Sequence, residues 1–223
     1  MFLIPSSVHT QSLPELLYLL SIDLAKHKQS DRQKIGYIVR AAALTELGLR
    51  GSVADADGKV QVRRDASTGD PLLDSVSHEI ADDCQRSWKD WVRRRERQTL
   101  DALENQLKGT GAITIEKHVV LGDKIWVTDV ASVRALQKEL LDTLSGGQSI
   151  DLLEPRTIAL AALTANGELS TAIPDKVRKA RKDRLRRLTD QTGPAAGALK
   201  SVVSELWWRR GSNGGAIAAA NAR

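Results

Sequence analysis

Two opposite charges stand inside the most apolar stretch of the sequence. Residues 35–51 read IGYIVRAAALTELGLRG, and Arg40 and Glu46 interrupt a run of Ile, Val, Ala and Leu. On a helical wheel those apolar side chains cover almost every direction, which marks a helix for the middle of a fold and not for its surface. Arg40 and Glu46 are six positions apart, too far to meet along one helix face. A buried guanidinium needs a carboxylate, a set of hydrogen bonds or a solvated anionic ligand. The chemistry open to Arg40 is therefore anion recognition or a structural ion pair.

Signatures of catalysis are absent from the sequence. His9, His27, His78 and His118 are scattered, with no HExxH or other metal-ligand spacing. No GxSxG elbow, P-loop or dinucleotide fingerprint occurs. Asp82 and Asp83 are adjacent, so a helix sends them to different faces, and Asp70 and Asp74 are better read as a helix cap and a first-turn acid. The expectation is a protein with no catalytic residues, no metal and no cofactor. Cys84 is the single cysteine, which excludes an internal disulfide and a cysteine metal cluster.

The remaining chemistry is cationic. The chain of 223 residues carries a net charge of +5, and the segment 176–187 alone holds eight Lys or Arg against Asp183. A second cluster comprises Arg93, Arg94, Arg95 and Arg97. Such strips suit an anionic membrane surface or an anionic polymer, or form a solvated helix face. In the longer strip Val177, Ala180, Leu185 and Leu188 define an apolar arc that Arg181 and Arg184 enter, so those two snorkel, pair with acids or border a pocket.

Elements that position these groups follow from capping and periodicity. Ser12 and Glu15 form a capping box, with Pro14 in the first turn of a helix. A polar loop over 26–33 feeds the central helix, which ends at Arg50-Gly51. Alternation around Val60 and Val62, with an Asp57-Gly58 turn, predicts a β-hairpin. Asp70-Pro71 opens a helix to about Arg86, and Ser87 with Asp90 opens another that runs to Gly109 or Gly111. Strand patterns fill 112–127, with Val119-Val120-Leu121 and Ile125-Trp126-Val127 flanking Gly122-Asp123. Helices are then expected over 129–144, 155–165, 175–188 and 195–210. Trp88, Trp91, Trp207 and Trp208 read as core or helix-packing residues. The fold class is mainly α: one globular helical domain around a buried central helix, with two β-hairpins. Its boundaries are an N-terminal extension over 1–11, the domain over 12–210, and a flexible tail over 211–223. No run approaches the ~20 apolar residues that span a bilayer, and the N-terminus lacks the pattern of a secretory leader. Cytoplasmic residence is the expectation.

The ELGLRG helix end (Glu46 to Gly51), a short hairpin and then TGDPLLD (Thr68 to Asp74) together resemble the Golgi phosphoprotein 3 family. The likeness extends to the basic segment 87–97, the GAITIEK run from Gly111 and the helix that opens with Pro155-Arg156, and covers roughly Leu13 to Trp208. It implies a non-catalytic peripheral protein on the cytosolic face of membranes that binds phosphatidylinositol 4-phosphate. In the family the headgroup pocket takes a tryptophan just before the central helix, an arginine within it and two basic residues on a later helix. The resemblance places the helix arginine on Arg40 and one later arginine on Arg97. It places Asp31 at the tryptophan and Leu100 at the second basic position, and Arg93 or Arg94, a turn before Arg97, is expected to compensate. The resemblance also implies that the 112–127 hairpin, with Val120 and Leu121 at its tip, serves membrane contact and self-association.

The expected partner is thus an anionic membrane lipid of the phosphoinositide class, with a homo-oligomer as a second expectation. If Arg40 and Arg97 form the pocket, their guanidinium groups share one cleft, and Arg40→Ala weakens lipid binding with little loss of stability. Two other classes stand beside this one. A protein–protein adaptor without lipid ligand is one, since family members also act as adaptors for membrane enzymes. A winged-helix-like nucleic-acid binder is the other; it fits the basic pI, but the apolar central helix is no recognition helix, and the basic strip lacks Asn or Gln for base edges.

Overall fold

A computed structural model describes residues 11–29, 31–63, 67–83, 85–118 and 122–220. Among these, ten α-helices and three two-stranded antiparallel hairpins form a mainly α fold. Helix α1 (Leu13–Leu20) starts where the capping pattern predicts, with the Ser12 amide donating to Glu15 Oε2 at 2.7 Å. The central helix α2 (Arg32–Leu49) is buried continuously from Lys34 to Leu47. Helices α3 (Pro71–Ala81), α4 (Trp88–Arg93), α5 (Glu96–Gly109), α7 (Pro155–Asn166) and α10 (Pro194–Ala220) pack around α2 together with α1. Neighbours on every side explain why α2 is apolar on every side. Gly36 permits a close approach of backbone: a Cβ there would lie 2.9 Å from the carbonyl oxygen of Glu96.

Two of the hairpins are β3 (Val53–Ala56) with β4 (Lys59–Val62), and β5 (Ile113–Glu116) with β6 (Lys124–Val127). Asp57 and Gly58 both take positive φ, the geometry of a tight type I′ connection. The partner of Ile125, Trp126 and Val127 is β5, where the sequence pattern suggested 119–121; those three residues lie outside the described ones. A third hairpin, β1 (Ile22–Asp23) with β2 (Lys28–Gln29), occupies part of the expected loop over 26–33. It carries β6 alongside, because the Ile125 amide donates to the His27 carbonyl at 2.8 Å and Trp126 stacks on the His27 ring.

Four expected helices differ in extent. Helix α3 stops at Ala81, and the segment after it pairs with β4 instead: the Val60 amide donates to the Arg86 carbonyl at 3.0 Å, and Lys59 bridges Ser87. The helix expected from Ser87 to Gly109 is broken between α4 and α5, where Arg95 sits in the left-handed region at φ 48°. The break lets Trp91 and Val92 on one side and Leu100, Leu103 and Leu107 on the other all reach the core. The helix expected over 175–188 is two, α8 (Asp175–Ala180) and α9 (Lys182–Thr192), joined at Arg181. Arg184 donates to the carbonyls of Thr143 at 2.8 Å and Gln148 at 2.9 Å, so it ties α9 to the end of α6 (Val130–Ser145), where a cation offsets unpaired carbonyl groups. Arg181 is exposed. Helix α10 runs to Ala220, past the expected end at Arg210.

Candidate functional site

Arg40 projects from the middle of α2 and shows none of its side chain to solvent. Its Nε donates to the Trp91 carbonyl and its Nη1 to Thr99 Oγ1, each at 3.2 Å. Nη2 lies 3.1 Å from Glu79 Oε2, an ion pair without the alignment of a hydrogen bond. Burial pushes the Arg40 guanidinium below its ordinary pKa, and Glu79 pulls it back up; an arginine stays charged in either case. The partner of the sequence's most conspicuous buried charge is therefore a glutamate on α3, an element whose packing against α2 no spacing rule reveals. Trp91 lies beside this guanidinium, 5.8 Å from ring centroid to Arg40 Cζ, and Arg94 Cζ approaches the same ring at 5.7 Å.

The α4–α5 corner distributes the remaining arginines in different directions. Arg94 pairs with Asp83 at 2.6 Å, and Arg95 reaches Glu79 at 3.6 Å. Arg93, with Lys89, pairs with Glu205 on α10. Arg97 is exposed on α5 and makes no ion pair with any described residue. The structure thus brings Arg40, Arg94 and Arg95 together around Trp91 and Glu79, turns Arg93 to α10, and leaves Arg97 at the surface. A cleft of about 570 Å³ opens beside Arg94 and Arg95, and Asp74, Glu79, Asp82 and Asp83 also line it. Arg40, being enclosed, does not share an open cleft with Arg97.

One further feature distinguishes this corner. Arg40 Nη2, Trp91 Nε1, Arg93 Nε and Arg94 Nε are buried nitrogens with no hydrogen-bond acceptor among the described residues, and the Glu79 Oε2 atom is likewise without a donor in bonding geometry. Native interiors satisfy nearly all such groups; Arg40 Nη2 and Glu79 Oε2 answer each other as an ion pair and Arg93 belongs to the contact with α10, which leaves Trp91 Nε1 and Arg94 Nε as the unpaired donors of this corner. The left-handed Arg95 adds backbone strain of about 1–3 kcal/mol at the same corner.

The two positions that depart from the headgroup pattern have structural reasons. Leu100 is buried in the core on α5, where a cation would be enclosed without a partner. Asp31 caps α2 by accepting from the Lys34 amide at 3.1 Å, and its carboxylate pairs with Arg210 of α10, Oδ1 to Nη2 at 3.0 Å. Its negative charge is thus already answered by a guanidinium.

The family model for Golgi phosphoprotein 3 (GPP34) matches residues 13–206. The chain belongs to this family. No curated protein matches it. The match takes in the whole helical body from α1 to the middle of α10, and the two segments ELGLRG and TGDPLLD are joints of that body. Glu46 of ELGLRG accepts from the Leu13 amide at 3.0 Å, from Arg50 at 3.0 Å and from Arg156 at 2.6 Å, so one buried carboxylate ties α1, α2 and α7. In TGDPLLD, Asp70 caps α3 through the Leu72 amide at 2.9 Å, and Asp74 accepts from the Thr68 amide and hydroxyl, each at 2.7 Å. Arg50 closes the joint on the Thr68 carbonyl at 2.9 Å. Val120 and Leu121, the expected hairpin tip, lie outside the described residues. Among the described residues no helix is long and apolar enough to cross a membrane.

Proposed function

We propose that the protein is a non-catalytic peripheral membrane protein that binds phosphoinositide headgroups of the phosphatidylinositol 4-phosphate type at the α4–α5 corner. The carrying observation is Arg94, whose buried Nε has no acceptor among the described residues, at a cleft that Arg95 also lines and beside the exposed Arg97. A phosphate offers several acceptor oxygens and forms charge-assisted bonds of about 2.7–2.9 Å with guanidinium groups. Arg97 supplies the first, solvent-facing contact. The carboxylates of Glu79 and Asp83 occupy the arginines in the absence of lipid, and the headgroup takes their place on Arg94 and Arg95. Arg40 then acts from beneath, by holding Glu79 and the Trp91 carbonyl. In this reading the protein resides on a cytosolic membrane face, and the hairpin tip at Val120 and Leu121 serves membrane contact or self-association.

Vesicle cosedimentation decides the matter. Phosphatidylinositol 4-phosphate vesicles should retain the full chain better than phosphatidylserine vesicles of equal charge, and Arg94→Ala and Arg97→Ala should each remove that preference. Equal retention on both vesicle types, or a preference that survives both substitutions, overturns headgroup recognition at this corner.

A further inference from the structure

A second groove, of about 820 Å³, lies elsewhere, between α8–α9 and α10. Its walls carry Arg178, Lys179, Lys182, Arg186 and Lys200 against a single carboxylate, Glu168. That carboxylate is already engaged: Oε1 accepts from Arg178 at 2.9 Å and Oε2 from the Trp207 indole at 2.7 Å. Lys179, Lys182, Arg186 and Lys200 are exposed and make no ion pair with any described residue. Lys182 and Arg186 stand one turn apart on α9, and Lys200 and Trp207 share a face of α10 two turns apart, so the cations and the indole look into the same space.

Trp207 and Trp208 form the aromatic rim. The first is 53% exposed and the second 78%, although the sequence pattern assigns both to packing. The buried face of α10 is filled by Leu199, Val202, Val203 and Leu206, which leaves the two tryptophans outside it. Exposed neighbouring indoles are costly in water and favourable at a membrane interface, where an amphipathic ring sits at headgroup level. Cations directly behind them match the phosphates of an anionic leaflet, each worth roughly 1 kcal/mol near the surface at moderate salt.

We infer that the α8–α9/α10 groove is a second membrane contact: Lys182, Arg186 and Lys200 meet lipid phosphates while Trp207 and Trp208 enter the interface. The site is independent of the α4–α5 corner and needs no particular headgroup. Base-edge readout of a nucleic acid is poorly served here, because the Asn166 amide is spent on Thr189 and the Ala196 carbonyl.

The test uses the full chain and vesicles with brominated acyl chains, which quench tryptophans that enter the interface. With phosphatidylserine present, emission of a Trp126→Phe chain, which lacks the exposed indole of the β5–β6 hairpin, should be quenched strongly, and adding Trp207→Phe with Trp208→Phe should remove most of that quenching. Lys182→Gln with Arg186→Gln should lower partitioning onto phosphatidylserine vesicles roughly tenfold or more, with an unchanged thermal melt because both side chains are exposed. Quenching that persists after those two Phe changes are added, or partitioning unaffected by the double Gln variant, overturns the inference. So does an emission change produced by inorganic phosphate alone, which would make the groove a free-anion site, or tighter binding to duplex or single-stranded DNA that depends on Lys182 and Arg186. Because the readout is on phosphatidylserine, loss of phosphatidylinositol 4-phosphate selectivity at the α4–α5 corner leaves this result untouched, and the reverse holds as well.

Discussion

Arg40 Nη2 and Glu79 Oε2 lie 3.1 Å apart in the interior, with the arginine side chain wholly buried and the glutamate 18% exposed. Removing one member of such a pair strands the other, which costs about 3–5 kcal/mol. Arg40→Ala should therefore destabilise the fold by that order in urea unfolding, whereas the pocket expectation calls for nearly unchanged stability. Arg40→Met combined with Glu79→Gln should lose less than the sum of the two single changes, because neither charge is then left alone. A strictly additive double variant would mean that the two groups do not act as a pair.

Glu46 is another buried charge of α2 and makes a firmer joint. Glu46→Ala leaves the Leu13 amide without its acceptor and removes the carboxylate shared by Arg50 and Arg156. The expected loss is about 3–5 kcal/mol by urea unfolding. Arg156→Ala should cost less, since its side chain is 35% exposed and Arg50 remains to pair with Glu46. An equal loss for the two variants would place the energy in the Arg156 contact alone and not in the shared carboxylate.

These two residues also show what the sequence makes legible. That Arg40 and Glu46 need separate partners follows from their spacing, and that α2 lies at the centre follows from its apolar circumference. The partners do not follow, because Glu79 and Arg156 arrive through the packing of α3 and α7, which local periodicity does not encode. Caps at Ser12, Asp70, Ser87 and Asp129 are readable for the opposite reason: each acts within three residues of itself. The β1–β2 hairpin is too short for alternation to register. The exposure of Trp207 and Trp208 was within reach, since Leu199, Val202, Val203 and Leu206 already complete an apolar stripe that excludes them. The breaks at Arg95 and Arg181 carry no Gly or Pro, so nothing in the local sequence announces them.

Gly36 sets the separation of α2 and α5. An exposed helical Gly→Ala change gains up to about 1 kcal/mol from helix propensity. Here the new methyl would meet the Glu96 carbonyl oxygen at 2.9 Å, and backbone cannot rotate away as a side chain can. Overpacking of this kind costs about 1–3 kcal/mol, so Gly36→Ala should be net destabilising. Gly48, with open space around its missing Cβ on the same helix, is the control: Gly48→Ala should be neutral or stabilising by thermal melt. A stabilising Gly36→Ala would show that α5 has room to move.

Asp31 joins the start of α2 to α10 through Arg210, and its charge makes that joint sensitive to acid. Burial alone would raise its carboxyl pKa, but hydrogen bonds from Arg210 and the Lys34 amide outweigh burial and hold it below the ordinary value of 3.8. A carboxylate with a depressed folded-state pKa contributes stability that is fully present above its unfolded value and lost as pH falls through the folded one. The Asp31–Arg210 contribution should therefore be intact at neutral pH and fade below about pH 4. The pair is partly exposed, 17% for Asp31 and 47% for Arg210, so the contribution is small, about 0.2–1 kcal/mol. Asp31→Asn isolates it, because asparagine remains a good N-cap for α2 while the charge is lost. Urea midpoints for the native chain and Asp31→Asn should differ at neutral pH and converge in acid. A difference that persists unchanged at low pH would assign the effect to the cap and not to the contact with Arg210.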